Sequence, residues 1–125
     1  MKKILLTLIF AFQITFSFSQ EYTIDVTAKS KNDYKIIGQD LNGNIEGLDV
    51  DLKFALGSKI IFKVNSPGHP FLIKLKPGTG KKNIVEDVNN NGIAKGIIEW
   101  IPNEPGTYYY QCSKHKGMVG KIIVS

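Results

Sequence analysis

From residue 20 onward, glycine, proline and asparagine cut the chain into short segments rich in β-branched and aromatic residues. No heptad, helical stripe or internal repeat runs through it, so period-two strands are the elements this pattern supports. Tyr22-Thr-Ile-Asp-Val-Thr27 alternates apolar and polar residues. Residues 34–37 make a short second segment before the turn-rich Asp40-Leu-Asn-Gly-Asn44. Residues 49–54 alternate again, and Gly57-Ser58 turns the chain into 59–64. Residues 69–76 form the next strand, closed by Pro77-Gly-Thr-Gly80, and 81–94 is the least regular stretch. Residues 96–101, 107–111 and 119–124 complete the set. Seven or eight short strands with turn signals roughly every 8–12 residues predict an all-β sandwich or small barrel.

The last two strands flank the run Cys112-Ser-Lys-His115-Lys-Gly-Met118. A thiolate, an imidazole and a thioether on one loop are soft or borderline donors suited to copper in both oxidation states. A trigonal copper site needs a second histidine. The chain has one other, His69, at or just before a different strand. His69, Cys112, His115 and Met118 are therefore the expected metal ligands. Sandwich loops gather at the two ends of the fold, which is how a residue so far upstream reaches the others. Cys112 lies in phase with Tyr108 and Tyr110, so it points to the same side as they do. Zinc on the Cys–His–His set is the main competing metal, but methionine is a poor zinc ligand and no acid or second cysteine lies in the loop. A Cys–His nucleophilic dyad would need an orienting third group and a cleft, which nothing in the sequence supplies. Asp87-Val-Asn-Asn-Asn-Gly92 begins like a calcium loop, yet its twelfth position is Ile98 and no helices flank it. It reads as an asparagine-rich turn.

Met1-Lys-Lys3 followed by an apolar run through Phe12 predicts a secretory signal peptide over residues 1–19, removed after Ser19. The apolar run is shorter than the roughly 20 residues of a spanning helix. The expected mature chain is one exported domain, residues 20–125, periplasmic or extracellular. In an oxidising compartment a lone thiol is a liability unless a metal, a partner thiol or burial protects it, and His115 and Met118 beside it favour metal. The formal charge is +5 from 16 basic and 11 acidic residues. All the basic residues are lysine, and they are scattered. A nucleic-acid binder uses arginine and gathers its charge on one face, so no nucleic-acid partner is expected. The lysines serve mainly solubility, with Lys114 and Lys116 as the exceptions.

Gly106-Thr-Tyr-Tyr-Tyr-Gln-Cys-Ser-Lys-His-Lys-Gly-Met-Val-Gly-Lys-Ile-Ile-Val124 resembles the final ligand loop and strand of plastocyanin-like cupredoxins. Trp100-Ile-Pro, Pro105-Gly106 and Ser66-Pro-Gly-His-Pro-Phe71 extend the likeness over nearly the whole mature chain. The resemblance implies a Greek-key β-sandwich binding one copper ion through His69, Cys112, His115 and Met118. It further implies one-electron transfer between protein partners rather than enzymatic turnover, with His115 as the electron port. Lys114 and Lys116 beside that port suggest a transient encounter of a monomer with an acidic redox protein. A copper carrier or scavenger using the same ligands without redox turnover is the alternative. Three departures stand out. Two residues separate His115 from Met118, as in amicyanins, where plastocyanins have four. The family's asparagine after the upstream histidine is Pro70, which has no amide hydrogen to pin the cysteine loop. The tyrosine preceding the cysteine in plant plastocyanins is Gln111, so a docking route through it does not carry over.

Overall fold

A computed structural model describes residues 20–125. The expected signal peptide, residues 1–19, lies outside the described residues. Nine strands occur among those described: β1 (Glu21–Thr27), β2 (Lys35–Asp40), β3 (Gly43–Leu48), β4 (Leu52–Phe54), β5 (Lys59–Asn65), β6 (Phe71–Lys74), β7 (Lys95–Trp100), β8 (Gly106–Cys112) and β9 (Val119–Val124). They form two sheets, ordered β3-β2-β1-β5-β7 and β4-β9-β8-β6. Most neighbours are antiparallel, but β1 runs parallel to β5 and β4 parallel to β9. The expected all-β sandwich is present. Among the described residues no helix is long and apolar enough to cross a membrane.

Period-two alternation sets the core. Tyr22, Ile24 and Val26 of β1 and Ile60, Phe62 and Val64 of β5 turn inward against Tyr108 and Tyr110 of β8 and Ile122 and Val124 of β9. Polar or charged residues occupy most intervening positions of β1 and β5. Beneath the 112–118 loop the core is aromatic. Phe71 stacks on Tyr110 with ring centroids 5.3 Å apart, and Tyr34 meets the edge of Phe71 at 5.1 Å. Such pairs contribute beyond the area they bury, and they underlie the strands that carry Cys112.

Nine strands replace the expected seven or eight, because the turn at 40–44 is the tip of a hairpin. The Asp40 carboxylate accepts from the Asn42 amide at 2.8 Å and from the Lys53 amide at 2.8 Å, and Gly43 takes φ 103°. The chain then returns as β3. That strand lacks a buried face to mark it in the sequence, since it sits at the sheet edge with no fully buried residue. The expected strand at 49–54 is also shorter, covering 52–54, because Asp49 has φ 46° and ends β3.

Residues 81–94 carry no strand, yet they seal the free edge of β6. Phe71 N–H donates to Ile93 O at 3.0 Å, Val85 N–H to Ile73 O at 3.0 Å, and Leu75 N–H to Asn83 O at 2.8 Å. The Asn91 carboxamide completes the seam: it accepts from Ile73 N–H at 2.8 Å and donates to the Ile73 and Val85 carbonyls, each at 2.9 Å. An exposed edge invites pairing with another chain, and the asparagine-rich run covers it. All four residues of β6 are buried, Phe71 and Ile73 in the core and Leu72 and Lys74 on the outer face.

Candidate metal centre

His69 is placed by a turn written into its neighbours. Proline at 67 and glycine at 68 suit the two central positions of a type II turn. Gly68 has φ 81°, and the His69 amide donates to Ser66 O at 2.8 Å. The fully buried Ser66 hydroxyl donates to His69 O at 2.9 Å. Cys112 ends β8 opposite Phe71, the first residue of β6. The loop from 112 to 118 closes on itself: Cys112 N–H donates to Met118 O at 2.9 Å, and Met118 N–H to His115 O at 3.2 Å.

The result brings three donors together across 43 and 46 residues of chain. The Nδ1 atoms of His69 and His115 lie 3.2 Å apart, and Cys112 Sγ lies 3.5 Å from His115 Nδ1 and 3.9 Å from His69 Nδ1. Metal–nitrogen bonds of about 2.0–2.1 Å and metal–sulfur bonds of about 2.3 Å set donors around one ion roughly 3.4–3.8 Å apart. The observed separations straddle that range, so the three atoms lie close enough to share one metal ion. His69, Cys112 and His115 are also the group of His, Cys and acidic residues among those described that could hold a metal ion. Cys112 is fully buried while both imidazoles are half-buried, so a histidine edge is open to solvent and the sulfur is not. Met118 is fully buried in the same loop. Burial, then the neighbouring His115 and Lys114, hold the His69 imidazole below its ordinary pKa. The neutral ring, the form that ligates metal, is thereby favoured.

Pro70 cannot donate to the cysteine loop, and the connection is rebuilt in other ways. Its carbonyl accepts from the Ser113 amide at 3.2 Å. The Tyr34 hydroxyl, from the segment between β1 and β2, bridges the His69 and Pro70 carbonyls at 3.0 Å each. Burial first, and then Cys112 close by, raise the Tyr34 phenol far above its usual pKa, so it remains a neutral donor. On the opposite side the fully buried Gln111 turns its Nε2 to the carbonyls of Cys112 (3.0 Å), His115 (3.0 Å) and Lys116 (3.4 Å).

All four residues expected from the sequence thus fall at one end of the sandwich, three of them with donor atoms in reach of one ion. Tyr34, Ser66 and Gln111 were missed as supporting residues. Their partners are main-chain atoms, many on distant segments, and main-chain acceptors leave no signature in side-chain spacing. Gln111 carried a partial signal: a polar residue inside an otherwise aromatic strand, next to the cysteine.

No protein-family model matches the chain, and no curated protein matches it. Solved structures do. The copper protein rusticyanin superposes with a TM-score of 0.61 at 18% identity, over 86% of this chain and 80% of that one. Rusticyanin from Thiobacillus ferrooxidans gives 0.57 at 19% identity, over 86% and 79%. A Sinorhizobium pseudoazurin gives 0.50 at 21% identity, over 85% and 74%. Both are cupredoxins. At this identity the likeness defines the fold, and the fold of this chain is the cupredoxin sandwich.

Proposed function

We propose that this chain is an exported copper protein that carries single electrons between protein partners, with His69, Cys112, His115 and Met118 as the copper ligands. The observation carrying the reading is the convergence of Cys112 Sγ with the two Nδ1 atoms, pairwise 3.2–3.9 Å apart. The cupredoxin fold supports it, as does the structural likeness to rusticyanin, a copper protein. A thiolate and two imidazoles with a thioether beside them suit copper over zinc, because softness rather than charge distinguishes the set.

Copper, when bound, supplies an ion that gains and loses one electron. The residues do the rest. Cys112 provides a thiolate that burial shields from oxidants. His69 and His115 would offer Nδ1 from half-buried rings, and the buried Met118 thioether would add a weak, soft donor. The Tyr34, Ser66 and Gln111 hydrogen bonds hold the donor-bearing segments in one shape, which keeps rearrangement small between oxidation states. His115, half-exposed between exposed Lys114 and Lys116, is the port through which a partner connects. The working molecule is a periplasmic monomer that meets an acidic redox protein transiently and performs no catalysis of its own. Copper carriage without redox turnover would use the same ligands, and a slow electron self-exchange rate would mark it.

Titration of the metal-free protein with Cu(II), followed by visible absorption, tests the reading. One equivalent is expected to raise an intense thiolate-to-copper band that is absent in Cys112→Ala. A colourless wild-type complex, or a band that survives the substitution, would refute the ligand set.

A further inference from the structure

Lys74 presents a buried charge that the metal site itself does not use. It lies on the outer face of β6 at 1% exposure, and lysine is almost never buried to that degree without a partner. Ion pairs among the described residues join Lys35 to Glu46 and Lys59 to Glu99, and neither involves Lys74. Its ammonium is instead solvated by backbone: Nζ donates to Gly78 O at 2.6 Å and to Gly80 O at 3.0 Å. Both glycines have left-handed backbone, φ 134° and 77°, with open space where a Cβ would sit. Conformation rather than crowding calls for glycine there. The turn at 77–80 is shaped so that its carbonyls face Lys74.

The amides of the same turn face the other way, towards the ligand loop. Gly78 N–H donates to Gln111 Oε1 at 3.1 Å, and Gly80 N–H to Ser113 O at 2.8 Å. Gln111 then spends its amide hydrogens on the Cys112, His115 and Lys116 carbonyls. Its orientation is dictated, since an N–H faces its oxygen and carbonyls face its nitrogen. Among the described residues no buried side-chain nitrogen or oxygen is left without a partner. A continuous chain of hydrogen bonds therefore runs from the Lys74 ammonium through the turn to the residue after Cys112 and to the backbone of His115.

We propose that Lys74 and Gln111 are positioning residues: with the 77–80 turn they form a brace that fixes the 112–118 loop in its ligand-presenting shape before any ion arrives. The brace takes the place of the missing amide at Pro70 and acts from the opposite side of the loop. A fully satisfied buried polar network specifies one arrangement, and a broken one leaves costly unpaired groups. Its effect on metal rests on the copper reading, but its existence in the metal-free protein does not.

Amide hydrogen exchange of the metal-free protein tests the brace directly. In the wild type, the Gly78 and Gly80 amides are expected to be protected, as are those of Cys112 and Met118, although the turn lies at the surface. Gln111→Glu keeps the shape and the acceptor for Gly78 but removes both N–H donors of the carboxamide. It is expected to speed exchange at Cys112 and Met118 at least tenfold while leaving the β5 amides unchanged. Lys74→Met is expected to release Gly80 and, through it, the loop. In both variants Cu(II) affinity falls roughly 10–100-fold, as for other lost supports of metal ligands, with a shifted visible band. Unprotected Gly78 and Gly80 in the wild type would overturn the proposal without recourse to any variant. So would loop exchange within twofold of wild type in both folded variants. Loosened loop amides in a protein that binds no copper would sustain the brace and sink the copper reading instead.

Discussion

At the scale of the residue, the candidate ligands stood out because their chemistry is uncommon: a thioether beside the one cysteine and one of the two histidines of the chain. Their supports did not, and Tyr34 shows why. It reads as the start of a strand, whereas in the fold its hydroxyl bridges two carbonyls of the His69 segment, 35 and 36 residues away. Its backbone is held in turn by Asp49, whose Oδ1 accepts the Tyr34 amide at 2.9 Å. Burial, opposed by that amide and reinforced by the neighbouring Asp33, pushes the Asp49 carboxyl up from 3.8 to about 6. The native state then binds a proton that the unfolded chain releases between those values. Stability contributed by Asp49 is thus present in acid and lost as pH rises through about 6. Denaturant unfolding of wild type and Asp49→Asn between pH 4 and 7 checks the sign. The wild type is expected to lose stability relative to the variant over that window, and an opposite or flat difference would contradict the assignment.

At the scale of the element, alternation located the strands that bury one face and failed at those that do not. β1 and β5 announce themselves, while β3 is an edge strand without a fully buried residue and was hidden inside a turn. A strand was anticipated at 69–76 and β6 spans Phe71–Lys74; its second face is covered by Gly92 of the irregular 81–94 segment at Leu72 and by the 77–80 turn at Lys74. Close packing imposes further demands that patterning does not register. Gly120 of β9 stands opposite Tyr110 of β8, and a Cβ there would run into the Tyr110 ring. That ring cannot give way, being fully buried, stacked on Phe71 and bonded through its hydroxyl to Val50 O at 2.6 Å. Gly120→Ala is expected to destabilise the fold by about 1–3 kcal/mol, the usual cost of overpacking. A chemical denaturation midpoint equal to wild type would show that β9 has more slack than the packing implies.

At the scale of the molecule, the division of labour is clear. Two sheets bury an aromatic core, and the loops at one end place a buried sulfur beside two half-buried imidazoles. Export, monomeric state and partner chemistry belong to the proposed function rather than to the fold. The partner proposal makes a measurable demand, since Lys114 and Lys116 flank the exposed edge of His115. Electron exchange with an anionic protein acceptor is expected to slow as salt rises and screens those charges. Replacing both lysines with glutamine is expected to flatten that dependence. A rate indifferent to ionic strength would remove the acidic partner while leaving the metal site intact.

X-ray absorption on the protein loaded with one equivalent of copper probes the central claim at the atoms that carry it. The expected first coordination sphere holds two imidazole nitrogens and one short sulfur, with the short sulfur lost in Cys112→Ala. A copper shell of nitrogen and oxygen alone in the wild type would mean that Cys112 is not a ligand, and the proposed copper site would be wrong.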